Sequence, residues 1–379
     1  MNCEANRRSA GVPPLFRPVQ RRSALGVATA SAASCIDRPA NNPRYPGTLA
    51  FSGFHNAGLL AILYFPTLPR PQSFPSYPNH NSLGCSARTF TAGTFAPIGV
   101  PPQLPNYPPM LIKLIERSLV YPRPSRERGD WRPRWLRPQN VWFRSADNTK
   151  LHGWYVPNPE ARRLIVYCHA NGEHVADQAN LIFRLQSHLA ATVFVYDYRG
   201  YGRSRGKPHE RGCVADGMAA QRWLAEREGV DTEDIILMGR SIGGGVAVAM
   251  AGEQGARALV LEATFSRMTD AAASLYPWLP VRLVMSNRYN SMRRIQKYTG
   301  PMFQCHGSAD EVVPIKLARR LFDASPSSMK QFYEVAYGRH NDSHPPAYYA
   351  ALAGFLDQVD EQSRPLPLRL QPIERQLVS

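Results

Sequence analysis

The chain is 379 residues long, 44% hydrophobic and formally +16 at neutral pH, which is enough for a buried core and one or two domains. The longest apolar run in its first part, 57–65, is far short of the ~20 residues that cross a bilayer. Nor does the charge mark a nucleic-acid binder: residues 1–109 hold nine arginines, no lysine and only Glu4 and Asp37, so +7 of the surplus lies there.

Residues 1–109 are rich in proline and arginine, with no sustained helical or alternating pattern, and are expected to form a disordered tail. Two origins suit it. One is a targeting segment, with Arg21-Arg22 ahead of a weakly apolar stretch ending at Cys35. The other is an upstream extension of a protein whose natural start is Met110. Organised pattern begins at Met110, so a single domain is expected over 110–362, with a second disordered tail over 363–379.

Residues 110–122 read as a short amphipathic helix, expected to dock on the domain and also suited to lying on a membrane surface. In 123–137, Trp131 and Trp135 sit among arginines, but Glu127, Asp130 and several prolines break the run, as in a solvated surface segment. No nucleic-acid partner is expected; the scattered positive charge suits peripheral contact with anionic lipid headgroups. Strands at 141–144 and 151–156, parted by Ala146-Asp147-Asn148, predict an antiparallel hairpin. Then the rhythm alternates. Strands are expected at 164–168, 192–196, 235–238, 258–261, 302–305 and 331–335, and helices at 176–189, 214–227, 246–251, 317–322 and 348–356. This predicts an α/β fold: a mostly parallel eight-stranded sheet with helices on both faces, and ligands at the carboxyl ends of the strands. Cys168, Cys213 and Cys305 fall in strand or helix contexts without metal spacing, as reduced buried thiols in a reducing, cytoplasmic compartment would.

The chemistry-bearing residues sit at those strand ends. Gly239-Arg-Ser-Ile-Gly243 joins an apolar strand to a helix of small residues, the context of a nucleophile elbow, although the five residues alone also suit an N-cap serine beside packing glycines. Asp310 follows one strand and His340 the last. Serine is a weak nucleophile at neutral pH, so His340 would take the Ser241 proton while Asp310 fixes the imidazole tautomer. In His169-Ala-Asn-Gly172, after another strand, the Asn171 N–H would join the Ile242 N–H as the pair of oxyanion donors, with His169 holding the turn.

Together with Asp197-Tyr-Arg-Gly-Tyr-Gly-Arg-Ser204 and His306-Gly-Ser-Ala-Asp310, these stretches resemble the α/β-hydrolase-fold serine hydrolases, in the branch with depalmitoylating thioesterases, monoacylglycerol lipases and bacterial esterases. Ala170 stands where that family commonly carries glycine, and Asn290 where an acidic residue is expected. The resemblance implies cleavage of acyl esters or thioesters through an acyl-enzyme, a structural role for 197–204, and no metal or organic cofactor. A short cap is expected over about 266–300, with Leu275, Trp278 and Leu279 lining an apolar acyl pocket. A serine peptidase acting on short peptides, and a non-catalytic ligand-binding protein on the same fold, remain as alternatives.

Overall fold

The computed structural model describes residues 116–363 and 365. The expected N-terminal tail, the start of the 110–122 helix and nearly all of 363–379 lie outside the described residues.

The hairpin forms as expected, from β1 (Gln139–Arg144) and β2 (Lys150–Val156), paired antiparallel. Asn148 turns the chain at φ +66°, a left-handed conformation that asparagine tolerates. The remaining strands are β3 (Arg163–Cys168), β4 (Ala191–Tyr196), β5 (Ile236–Arg240), β6 (Ala258–Glu262), β7 (Met302–Gly307) and β8 (Lys330–Val335). They complete an eight-stranded sheet in the order β1-β2-β4-β3-β5-β6-β7-β8. From β4 to β8 every neighbouring pair is parallel.

Parallel strands need crossover connections, and helices supply them on both faces. Along β3 and β4 the side chains alternate between two cores. Leu164, Val166, Phe194 and Tyr196 join one core with Leu224 of α2 (Glu210–Glu228) and Val246 of α3 (Ile242–Gln254). Ile165, Tyr167, Val193 and Val195 join the other with Leu185 of α1 (Ala179–Leu189). The five expected helices start two to four residues away from their predicted positions, and caps account for two of these shifts. Asp177 accepts from the His174 N–H and closes a 3-10 turn over Val175–Asp177, which delays α1 by three residues. His209 accepts from the Gly212 N–H and lets α2 begin four residues early.

The insertion after β6 holds α4 (Met268–Leu275) and two single-turn helices, α5 (Val281–Val284) and α6 (Ser291–Arg294). Asn290 caps α6 by accepting from the Arg293 N–H at 3.2 Å, so a neutral side chain serves there. Residues 116–120 are helical and dock on this insertion. Glu116 Oε1 accepts from the backbone N–H groups of Ser286 and Asn287 at 2.8 and 2.7 Å. Tyr121 Oη donates to Asn287 Oδ1 at 2.9 Å and lies 3.0 Å from Tyr289 Oη. The last helices are α7 (Ile315–Ala324) and α8 (Pro346–Gln362). Among the described residues, no helix is long and apolar enough to cross a membrane.

Candidate active site

Ser241 is the single residue between β5 and α3, at φ +53° and ψ −117°. A non-glycine residue at positive φ is strained, at a cost on the order of 1–3 kcal/mol, and persists only where the surroundings impose it. Here they do. The Ser241 N–H donates to Glu262 O at 2.9 Å, and its carbonyl accepts from Thr264 Oγ1 at 2.8 Å. A Cβ on Gly239 would lie 2.3 Å from the Gly243 carbonyl oxygen, and a Cβ on Gly243 would lie 2.0 Å from that of Cys168. Both glycines are therefore fixed by close backbone approach.

His340 follows β8 and brings Nε2 to 3.2 Å from Ser241 Oγ, while its Nδ1 lies 2.8 Å from Asp310 Oδ2. An ionised carboxylate only accepts, so Nδ1 carries the proton and Nε2 is free to accept from the serine hydroxyl. Burial alone would raise the Asp310 carboxyl, but hydrogen bonds from His306, His340 and the Val313 N–H outweigh it and hold the group well below the usual carboxylate range. Asp310 is thus an anion surrounded by donors: Oδ1 accepts from the N–H groups of Val312 and Val313 at 2.9 and 2.7 Å. His306 Nε2 stands 3.2 Å from Oδ2 and donates to Val313 O at 2.7 Å.

The other expected residues are placed as follows. Ile242 opens α3, where the first N–H groups of a helix have no intrahelical acceptor. Asn171 lies in the turn after β3, its Oδ1 accepting from Tyr201 Oη at 3.3 Å. Among the described residues, neither backbone N–H donates to a protein acceptor. His169 is fully buried, its Nδ1 2.8 Å from Ala170 O and its ring against Tyr198, and burial lowers it below the usual imidazole range. It is a neutral ring that packs the turn. The Ala170 N–H donates to Glu173 Oε2 at 3.1 Å, so the turn is fixed without a glycine at that position.

Asp197 to Ser204 makes a buried support beside this turn. Asp197 accepts from the N–H groups of Val175 and Arg203, and its carboxylate fills the space where a Gly202 side chain would be. Arg199 pairs with buried Asp216 at 2.8 Å and with Asp147 at 2.7 Å. In the cap, Trp278 is 73% exposed and Leu275 44%, whereas Leu279 is partly buried against the core. Cys168, Cys213 and Cys305 are buried free thiols. No group of three or more metal-ligating side chains occurs among the described residues. His344, four residues beyond His340, instead places Nε2 2.8 Å from Glu262 Oε1.

Sequence reasoning missed four contributors: Arg240, Glu262, Thr264 and the role of His306. Only His306 carried a signal, its spacing of four from Asp310. The others depend on which strands become neighbours.

A serine on a strained strand-to-helix turn, in a switch-point sheet of this order, defines an α/β-hydrolase, and the chain belongs to the α/β hydrolase fold family, whose sequence profile matches residues 163–349. An uncharacterised protein of Mycobacterium tuberculosis is 34% identical over 206 residues, 54% of this chain and 73% of that one. Protein bem46 of Schizosaccharomyces pombe is 30% identical over 233 residues, covering 59% of this chain and 77% of its own. Among solved structures, a Pyrococcus furiosus esterase shares the fold with a TM-score of 0.54 at 18% identity, covering 62% of this chain and 96% of that one.

Proposed function

We propose that the protein is a serine hydrolase that cleaves carboxylic ester or thioester bonds of acyl substrates through an acyl-enzyme on Ser241. The observation that carries this reading is the chain of contacts from Ser241 Oγ to His340 Nε2 at 3.2 Å and from His340 Nδ1 to Asp310 at 2.8 Å. The first spacing is within reach for proton transfer, and the second holds the imidazole in place for it.

In this mechanism His340 Nε2 takes the hydroxyl proton as Ser241 Oγ attacks the acyl carbonyl carbon. Negative charge then develops on the carbonyl oxygen, and the open N–H groups of Asn171 and Ile242 receive it. Collapse of the tetrahedral intermediate breaks the bond to the leaving alkoxide or thiolate, which takes the proton from the imidazolium. A water molecule repeats the sequence on the acyl-enzyme and releases the acid. Asp310 stays ionised throughout and stabilises the transient imidazolium.

An apolar acyl group is favoured by the aromatic and aliphatic cap segment from Leu275 to Met285, where Leu275, Trp278 and Leu279 would form the wall. One methylene in such a pocket changes discrimination by only about 1–3 kcal/mol, so a broad preference follows. The test is labelling by a fluorophosphonate probe together with turnover of p-nitrophenyl esters. Wild type should react in both assays and Ser241→Ala in neither. Labelling retained by Ser241→Ala would refute the assignment.

A further inference from the structure

Arg240 fills the position between Gly239 and Ser241 that the nucleophile pattern leaves open. It is the last residue of β5 and precedes the serine directly. Its Nη2 donates to the backbone carbonyl of His340 at 2.5 Å. We propose that Arg240 is a positioning residue: from the strand that carries the nucleophile, its guanidinium holds the His340 backbone and sets the reach of the imidazole toward Ser241. This inference rests on the reading of Ser241 as nucleophile.

The loop bearing His340 is pinned on either side of this contact. On the near side, the Ala309 N–H donates to Gly338 O at 3.0 Å and the Tyr337 N–H to Ser308 Oγ at 2.7 Å. These bonds fix the loop to the segment that carries Asp310. On the far side, His344 lies 2.8 Å from Glu262 and stacks on Tyr348 at 4.1 Å, while Tyr348 Oη donates to Glu262 Oε1 at 2.5 Å. His340 lies between the two anchors. The Arg240 bond reaches its own peptide, and it does so from β5.

Electrostatics reinforce the geometry. Burial opposes charge on Arg240, but the carboxylates of Glu262 and Glu173 favour it and the guanidinium stays charged. Glu262 anchors His344 and its backbone receives the Ser241 N–H. Glu173 holds the Ala170 N–H in the oxyanion turn. One cation therefore sits among the elbow, the histidine loop and the oxyanion turn. Lysine could replace its charge but not the planar guanidinium that reaches the His340 carbonyl.

The test uses the full chain as wild type, Arg240→Met and Arg240→Lys. Four quantities are read: the rate constant for fluorophosphonate labelling, the fraction of sites labelled at completion, kcat and KM for a p-nitrophenyl ester, and the low-field proton resonance of His340 Nδ1–H. A small misplacement at a reacting centre costs up to about 100-fold, so Arg240→Met should lose about 10- to 100-fold in labelling rate and kcat. Full labelling stoichiometry, a nearly unchanged KM and a shifted resonance should accompany that loss, and Arg240→Lys should recover part of the rate. A wild-type labelling rate in Arg240→Met would overturn the proposal. So would a loss explained entirely by fewer reactive sites and a lower melting temperature, the signature of a merely structural residue. If wild type itself is unreactive, the esterase reading fails separately. The resonance then decides alone: a shift in Arg240→Met supports the arginine's role, and no shift refutes it.

Discussion

Gly243→Ala should damage stability and catalysis together, because the added methyl would meet backbone. The Cβ would stand 2.0 Å from the Cys168 carbonyl oxygen and 2.7 Å from that of His169. The first contact is about 1.5 Å inside an optimal separation of roughly 3.5 Å. Relief requires the start of α3 to part from the end of β3, where Cys168 pairs with Gly239. Overpacking of this kind costs about 1–3 kcal/mol, and the absence of a movable side chain puts this site near the upper value. Alanine's helix advantage of about 1 kcal/mol offsets part of that, leaving a net loss of about 2 kcal/mol. For a domain of this size the melting temperature should fall by about 4–8 °C. Gly354→Ala is the internal control, since a Cβ there meets nothing within 4 Å on an exposed face of α8. It should gain about 1 kcal/mol and raise the melting temperature by about 2–4 °C. Melts followed by circular dichroism and p-nitrophenyl ester turnover on the same samples check both variants. A Gly243→Ala protein that melts within 1 °C of wild type and keeps its turnover would refute the close-approach reasoning.

Asp310 is held below its unfolded value, so its stabilising contribution is complete above about pH 4 and lost as the pH falls below that. The stability gap between wild type and Asp310→Asn should accordingly be widest above pH 5 and narrow toward pH 3; a gap constant over that range would contradict the assignment. Glu116→Ala removes the buried carboxylate that accepts from the N–H groups of Ser286 and Asn287 and should cost about 2 kcal/mol in chemical denaturation, whereas a change under about 0.5 kcal/mol would show that the docking contributes little. Trp278→Ala should flatten the preference across an acyl-length series of esters and thioesters; an unchanged preference would remove the cap from the acyl site.

The architecture was legible because each buried strand is a short apolar run, and the runs between them are long enough for helices, periodic as in α1 or uniformly small and apolar as in α3. The expected strands 164–168 and 192–196 lie within β3 and β4, and Ser241, Asp310 and His340 meet although 99 and 30 residues separate His340 from its two partners. Helix starts were less legible because side chains set them: Asp177 and His209 each cap through a bond to a neighbouring N–H. The supports of the triad were not legible, apart from His306 by its spacing from Asp310. Glu262 and Arg240 are register partners on adjacent strands, a relation that exists only once β5 and β6 pair. In the sequence, Glu262 is one acid at the end of one apolar run.

The docking of residues 116–121 also has a consequence for the order of assembly. Glu116 and Tyr121 have their partners 166 to 171 residues further along the chain. Translation proceeds at about 5–20 residues per second, so the earlier segment emerges roughly 10–30 s before the groups that receive it. During that interval the hairpin and the first parallel strands can pair, since their contacts are closer in sequence, while the edge later closed by Ser286 to Tyr289 stays open. Residues 116–121 therefore wait for the cap to emerge before they can dock, while β7, β8 and α8 are still to be made.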